Sequence, residues 1–235
     1  MNLKRLGIVM LFSIAAFTTI KAQTADEIIN KYIDARGGTE KLNAISSMVQ
    51  KGNLNVNGMK IPVTITTVDN KAMRADFTFN GMSGYQIITT TDGWGYNPFQ
   101  GQTKAEPMTA DDVKISQDAL DAKDDLLDYA AKGTTVESLG TEDVEGTECY
   151  KLKLTMKSGK EKTYFINTED NTLVKISEKS TTNGQEQEAV TMLANYKDVN
   201  GLQFPFSVTG PMGPIEIDSI EINPVVDESI FKPSN

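Results

Sequence analysis

The feature that most restricts this chain is a series of short segments in which apolar and polar residues alternate, each ended by a turn dipeptide. Leu54 and Val56, then Ile61, Val63 and Ile65, then Met73, Ala75, Phe77 and Phe79 share one face of a period-two pattern. Between these runs stand Asn57-Gly58, Asp69-Asn70 and Asn80-Gly81, residue types that accept the positive backbone angles of a two-residue hairpin. Consecutive strands joined this way form an antiparallel meander. The pattern runs on through Tyr85 and Ile87 and, after Thr91-Asp92-Gly93, through Trp94 and Tyr96.

A second set opens where Tyr150, Leu152, Leu154 and Met156 alternate with Cys149, Lys151, Lys153 and Thr155. Ser158-Gly159 turns it into residues 162–167, and residues 173–180, 189–196, 202–208 and 215–222 complete it, with Asn183-Gly184 and Asn200-Gly201 as further turns. The expectation is about eleven strands.

Helical spacing occurs in two places. Ala25, Ile28, Ile29, Tyr32 and Ile33 form a stripe, Thr24 and Glu27 stand at capping-box spacing, and Gly37-Gly38 supplies a stop. A short second turn is expected over residues 39–45. Between the two strand runs, Thr109 caps a stretch holding Val113 and Ile115, and Leu120, Leu126, Leu127, Tyr129 and Ala130 suggest a second stripe ending at Gly133. The fold class is therefore mainly β with a few helices (α+β). Its core would be a curved antiparallel sheet whose apolar concave face must close or be covered, because large exposed apolar patches are rare on monomers.

The chain opens with Lys4 and Arg5, an apolar run from Leu6 to Ile20, and Lys21-Ala22-Gln23, the order of an export signal with cleavage expected after Ala22. The apolar run is shorter than the roughly 20 residues of a spanning helix. The expected arrangement is a signal peptide over 1–22 and one domain over 23–235, released and not tethered, since Cys149 is the one cysteine and stands far from the cleavage point. Cleavage removes three cations and no acid, taking the formal charge from -9 to -12 over the 213 residues that remain. Such a chain is a poor ligand for nucleic acid and is expected to stay monomeric.

With no histidine, Ser-His-Asp, Cys-His and histidine-rich metal chemistry are excluded. Cys149 is in phase with Lys151 and Lys153, on a face expected to be polar, with no base recognisable beside it. Asp111-Asp112, Asp124-Asp125 and the Glu186, Glu188 pair lack calcium-loop spacing; the first two pairs read as helix-start acids and solvated faces. No phosphate loop is present. No enzyme activity, metal or cofactor is expected. More informative are Phe77, Phe79, Tyr85, Trp94, Tyr96 and Phe99, which fall close together with Met59, Met73, Met82 and Met108 spread among them. Methionine recurs on surfaces that adapt to varied apolar partners, while inward aromatics also make an ordinary sheet core.

The order of helix, meander, helices and second meander, with Thr91-Asp-Gly-Trp-Gly-Tyr-Asn-Pro-Phe99, Tyr196, Gly201 and Phe204-Pro205-Phe206, resembles the LolA-like outer-membrane lipoprotein-sorting proteins. The resemblance implies an incomplete β-barrel lidded by helices. It implies a periplasmic carrier that shields lipoprotein acyl chains or lipid in a hydrophobic cavity, with an inner-membrane exporter and an outer-membrane acceptor as partners. On that reading the cavity would be lined by Met73, Phe77, Phe79, Tyr85, Ile87, Trp94, Tyr96, Phe99, Leu152 and Leu154, and Arg74 would tie lid to barrel. A regulatory lipid sensor on the same fold is the alternative, disfavoured because such sensors carry a further domain after the half-barrel. A small hydrolase comes third, for want of a nucleophile pair.

Overall fold

A computed structural model describes residues 23–182 and 185–234, and side chains outside 180–187. The expected export segment, the Asn183-Gly184 turn and the side chain of Glu186 lie outside the described residues. No helix among them is long and apolar enough to cross a membrane.

Helix α1 (Ala25–Ala35) begins at the expected capping box: Thr24 Oγ1 accepts from the Glu27 amide, and the Glu27 carboxylate accepts from the Thr24 amide. Its stripe buries Ile28, Ile29, Tyr32 and Ile33, each contributing about 1.5–3 kcal/mol of gross apolar burial. Gly37 follows with φ +120°, where a Cβ would stand 2.4 Å from the Gly201 carbonyl oxygen. Only glycine lets the end of α1 approach that turn so closely. Helix α2 (Thr39–Asn43) buries Leu42 and leads into the sheet.

The sheet has thirteen strands among the described residues, all pairs antiparallel. The first meander comprises β1 (Ser47–Val56), β2 (Met59–Val68), β3 (Ala72–Phe79), β4 (Met82–Thr89), β5 (Gly93–Tyr96) and β6 (Glu106–Pro107). The second comprises β7 (Thr135–Val144), β8 (Thr147–Thr155), β9 (Glu161–Asn167), β10 (Leu173–Thr182), β11 (Gln185–Val199), β12 (Leu202–Gly210) and β13 (Gly213–Ile222). Asn57-Gly58, Asn80-Gly81 and Asn200-Gly201 hold both residues at positive φ, as a hairpin turn of this twist requires. One non-local pairing, β1 against β13, joins the meanders, and the sheet ends unpaired at β6 and β7. The result is an incomplete barrel with its seam between those two edges.

The chain that crosses this seam is the segment from 108 to 134, which covers part of the inner face. It begins with helix α3 (Ala110–Ser116) and a 3-10 turn (Gln117–Leu120). The second helical stripe expected over residues 120–130 is replaced by successive turns. Asp128 at φ +51° breaks the run, and Leu126 and Leu127 are both buried from these turns. Strand β7 escaped the sequence pattern because it is a bulged edge strand whose residues are mostly exposed.

Candidate functional site

The inner face divides into two halves. Under the second meander it is filled: Leu152, Leu154 and Ile166 are 0 % exposed, packed with Ile28, Tyr32 and Leu126 in the main core. Under the first meander an apolar cleft of about 450 Å³ is left, bounded by Leu54, Ile61, Val63, Ile65, Ala75, Phe77, Phe79, Phe99, Met212 and Ile215, with Asp76, Gln86 and Asn97 also contributing. Strand register explains the shared face, because Leu54 pairs with Ile61 and Ile215, Val63 with Phe77, and Ile65 with Ala75. Phe77 lies opposite Gly84, where a Cβ would stand 2.4 Å from the ring. Glycine there gives Phe77 its place on the cleft wall.

Phe99 completes the cleft from a 3-10 turn (Pro98–Gln100). Asn97 Oδ1 accepts the Phe99 amide, and the Phe99 ring sits 5.8 Å from the rings of both Phe77 and Phe79. One end of the cleft is near the hairpin tips, where Met212 lines it and is 73 % exposed. Toward the other end of the same strands the covering segment is tied down: Asn70 donates to the Leu120 carbonyl, the Ala122 amide donates to Asp69, and Lys123 pairs with Asp69 at 3.0 Å.

The residues expected in one cavity are distributed over three places. Phe77, Phe79 and Phe99 line the cleft, and Met73 shares their face further along β3. Tyr85, Ile87, Trp94 and Tyr96 lie on the opposite face, since Tyr85 pairs with Tyr96 and Ile87 with Trp94 in phase with Arg74. There they pack under the C-terminal segment with Val226, Ile230 and Phe231. Continuous alternation across β3 and β4 conceals a change of face, because the hairpin puts Phe77 opposite Gly84 and not opposite Tyr85. Leu152 and Leu154 do face inward, but their side chains are already covered by α1 and the crossing segment.

Arg74 is not the tie between lid and barrel. Its guanidinium pairs with Asp76 at 2.7 Å, lies 4.3 Å from the Tyr85 ring centre and donates to the Ile230 carbonyl at 2.7 Å. It fastens the C-terminal segment to the outer face, beside Tyr85 and Ser234, whose backbone exchanges hydrogen bonds with the Tyr85 hydroxyl. The other arginine of the described chain reaches the crossing segment. Arg36 donates to Asp124 at 2.8 Å and to the Tyr32 hydroxyl at 3.1 Å, and Tyr32 donates to Asp124 at 2.6 Å. Asp124 is 5 % exposed, so burial pushes its pKa up while Arg36, Tyr32 and the Leu126 amide oppose the shift. Burial also raises Tyr32 well above the ordinary tyrosine range.

Its neighbour Asp125 makes a second anchor, accepting from Lys162 and from the Tyr164 hydroxyl, each at 2.6 Å. Burial alone would depress Lys162, but Asp125, Glu178 and Asp118 raise it. The reading of Asp124-Asp125 as solvated is therefore corrected: in a turn, adjacent side chains diverge into two buried contacts. No spacing rule marks this in sequence, though acids flanked by Ala122 and Leu126-Leu127 were a signal. Asp111 and Asp112 are exposed at the start of α3 as expected.

Cys149 is also corrected. It is fully buried on the outer face with Val144 and Phe165, and burial, then Asp143, Asp170 and Glu142, raises its pKa. A raised thiol pKa keeps Cys149 in the unreactive thiol form. A second concavity of about 530 Å³ lies between α1 and residues 126–131; its lining mixes Ile29, Ile33 and Leu127 with Asp26, Asn30, Thr39 and Asp128. It is larger but has none of the uniformly apolar character expected of a site for hydrophobic ligands.

No protein-family model matches the sequence, and no curated protein matches it. Solved structures do share its architecture. A LolA superfamily protein from Nitrosomonas europaea superposes with a TM-score of 0.56 at 13 % identity, over 90 % of this chain and 98 % of its own. A domain assigned to the outer membrane lipoprotein-sorting proteins, from Vibrio parahaemolyticus, gives 0.54 at 11 % identity, over 87 % and 94 %. A DUF1329 family protein from Desulfovibrio piger gives 0.51 at 11 % identity, over 89 % and 98 %. The chain has a LolA-like fold. At these identities the likeness extends to the fold.

Proposed function

We propose that this protein is a non-enzymatic carrier, working in the periplasm after removal of its first residues, that holds acyl chains of lipoproteins or of lipid in the inner-face cleft. The observation that carries this reading is the unfilled half of an otherwise packed inner face. Apolar walls from five elements surround a space that none of the described residues occupies, and leaving such walls to water is costly unless a ligand covers them. Each methylene taken out of water contributes about 0.8 kcal/mol, so about ten contribute about 8 kcal/mol before ordering costs. Covalent chemistry is not needed to hold such a ligand, and the absence of histidine accords with a binding role.

The lipoprotein-sorting assignment of the Vibrio parahaemolyticus domain supports acyl chains as the ligand class. An exporter on the inner membrane and an acceptor on the outer membrane are the partners such a role calls for, and a single soluble copy suffices. Native mass spectrometry of gently purified protein, followed by competition with a triacylated peptide, tests the proposal. Copurifying acyl ligand that the peptide displaces is the expected result; an empty protein that ignores the peptide overturns it. Trp94 is a poor reporter for this titration, since it lies on the outer face.

A further inference from the structure

Two glycines on the inner face of β5, Gly93 and Gly95, mark where the cover over the seam stops. A Cβ on Gly93 would stand 2.8 Å from the Met108 sulfur and 3.1 Å from Val113, so the start of the crossing segment lies against it. A Cβ on Gly95 would meet nothing within 4 Å. Register places Gly95 between Gln86 on β4 and Glu106 on β6, the last strand before the seam. Residues opposite one another in antiparallel strands point to the same face, and Gln86 lines the cleft. The row Gln86, Gly95, Glu106 is therefore an uncovered gap that leads from the cleft to the open edge of the sheet.

The gap is polar where the cleft is apolar. Among the described residues the Gln86 carboxamide has only the Met108 sulfur, at 3.8 Å, as a partner, and Gln86 is exposed although it faces inward. Glu106 accepts from Gln102, which in turn accepts the Asn97 amide, so the turn that carries Phe99 is joined to the far wall of the gap. The other polar contributors to the cleft are engaged: Asp76 pairs with Arg74, and Asn97 Oδ1 accepts the Phe99 amide. Polar groups gathered at one side of an apolar pocket fix which end of an amphiphile lies there.

The size of the cleft sets how much chain it holds. A methylene fills about the share of volume that a water molecule has in the liquid, about 30 Å³, so a cleft of about 450 Å³ takes about 15 of them. That is one long acyl chain. Three chains, as on a triacylated lipoprotein, need about three times the space.

We infer that the cleft is a single-chain site: one acyl chain lies against Phe77, Phe79 and Phe99, and its polar head sits in the glycine gap between Gln86 and Glu106. The ligand class is an amphiphile with one chain and a hydrogen-bonding head, whether a lysolipid or one chain of a lipoprotein. The inference rests on the carrier reading and narrows it. A triacylated peptide seats one of its chains and leaves two outside.

The test uses the purified protein and displacement of a soluble dansyl fatty acid, with native mass spectrometry for stoichiometry. Lysophosphatidylcholines from about 8 to about 20 carbons, below their micelle concentrations, should bind one per protein, tightening about two- to fourfold per added methylene and levelling off at about 16 carbons. A triacylated peptide should bind no more than about threefold tighter than the same peptide with one chain, the factor that a choice among three chains supplies. Gly95→Leu has room for its side chain, fills the gap, and should weaken binding about tenfold at an unchanged melting temperature. Tighter binding of the lysolipid names lipid as the source of the chain, tighter binding of the one-chain peptide names lipoprotein, and either supports the single-chain site. Affinity that rises without levelling, two or more lysolipids per protein, or a triacylated peptide held about tenfold tighter than its one-chain form overturns the single-chain site while the carrier reading stands. Unchanged binding by Gly95→Leu overturns the placement of the head. If neither the dansyl fatty acid nor any other acyl ligand binds, the carrier reading falls and this inference with it.

Discussion

The two halves of the inner face are made by one sheet from the same kind of alternation, yet one is packed solid and the other is open. Under β7–β12, side chains such as Leu154 and Ile166 are fully buried beneath α1 and the crossing segment. Under β1–β4, side chains of equal apolarity, Ile61, Val63 and Phe77, stay half-exposed around a cleft. The packed half also carries the polar anchors, Arg36 to Asp124 and Lys162 to Asp125, that hold its cover in place. Alternation thus decides which residues face inward, and the cover decides whether they form core or cavity.

The anchors give the largest expected effect. Asp124→Ala leaves the Arg36 guanidinium buried without its carboxylate and should cost about 3–5 kcal/mol, read as a fall in the denaturation midpoint. If the loss is within about 0.5 kcal/mol, the crossing segment is not held there. Next comes packing. Leu154→Ala should destabilise by about 2–5 kcal/mol, whereas Val63→Ala in the cleft should cost about 1 kcal/mol or less because its side chain is only half-buried. Similar losses at both sites would erase the distinction between filled and open halves.

Binding should show the reverse order. Val63→Asp puts a charge on the cleft wall and should weaken dansyl fatty acid binding about tenfold or more while leaving the fold intact. Leu154→Ala, once folded, should bind as the parent does. The smallest effect is alkaline. Lys162 is raised by Asp125, and Tyr32 and Tyr164 are raised by burial, so the folded state holds these protons more tightly than the unfolded chain. Their contribution is therefore intact below about pH 10, the ordinary range for tyrosine and lysine, and is lost as pH rises above it. Urea midpoints that stay flat from pH 9 to 11 would contradict these buried contacts.

Much of the fold was legible because its signals are local. Asn-Gly turns, period-two runs and the Thr24 capping box each act over a few residues, and the LolA-like resemblance ordered them correctly. The site was legible in part. Phe77, Phe79 and Phe99 line the cleft, and Leu54 and Val63 share their face, but Met212 and Ile215 reach it through the long-range pairing of β1 with β13, which no local pattern announces. Tyr85 and Trp94 were assigned to the wrong face because alternation fixes phase within a strand and not across a hairpin. The tie expected of Arg74 falls to Arg36 for a similar reason: each partner is distant in sequence, Ile230 for Arg74 and Asp124 for Arg36.

The central claim, that the open half of the inner face holds acyl chains, is tested most directly by photolabelling with a diazirine fatty acid and locating the adduct by peptide mass spectrometry. Labels should fall on residues 54–65, 75–79, 97–99 and 212–215 and should disappear in Val63→Asp. Labels confined to the groove between α1 and residues 126–131, or spread evenly over the surface, would contradict it.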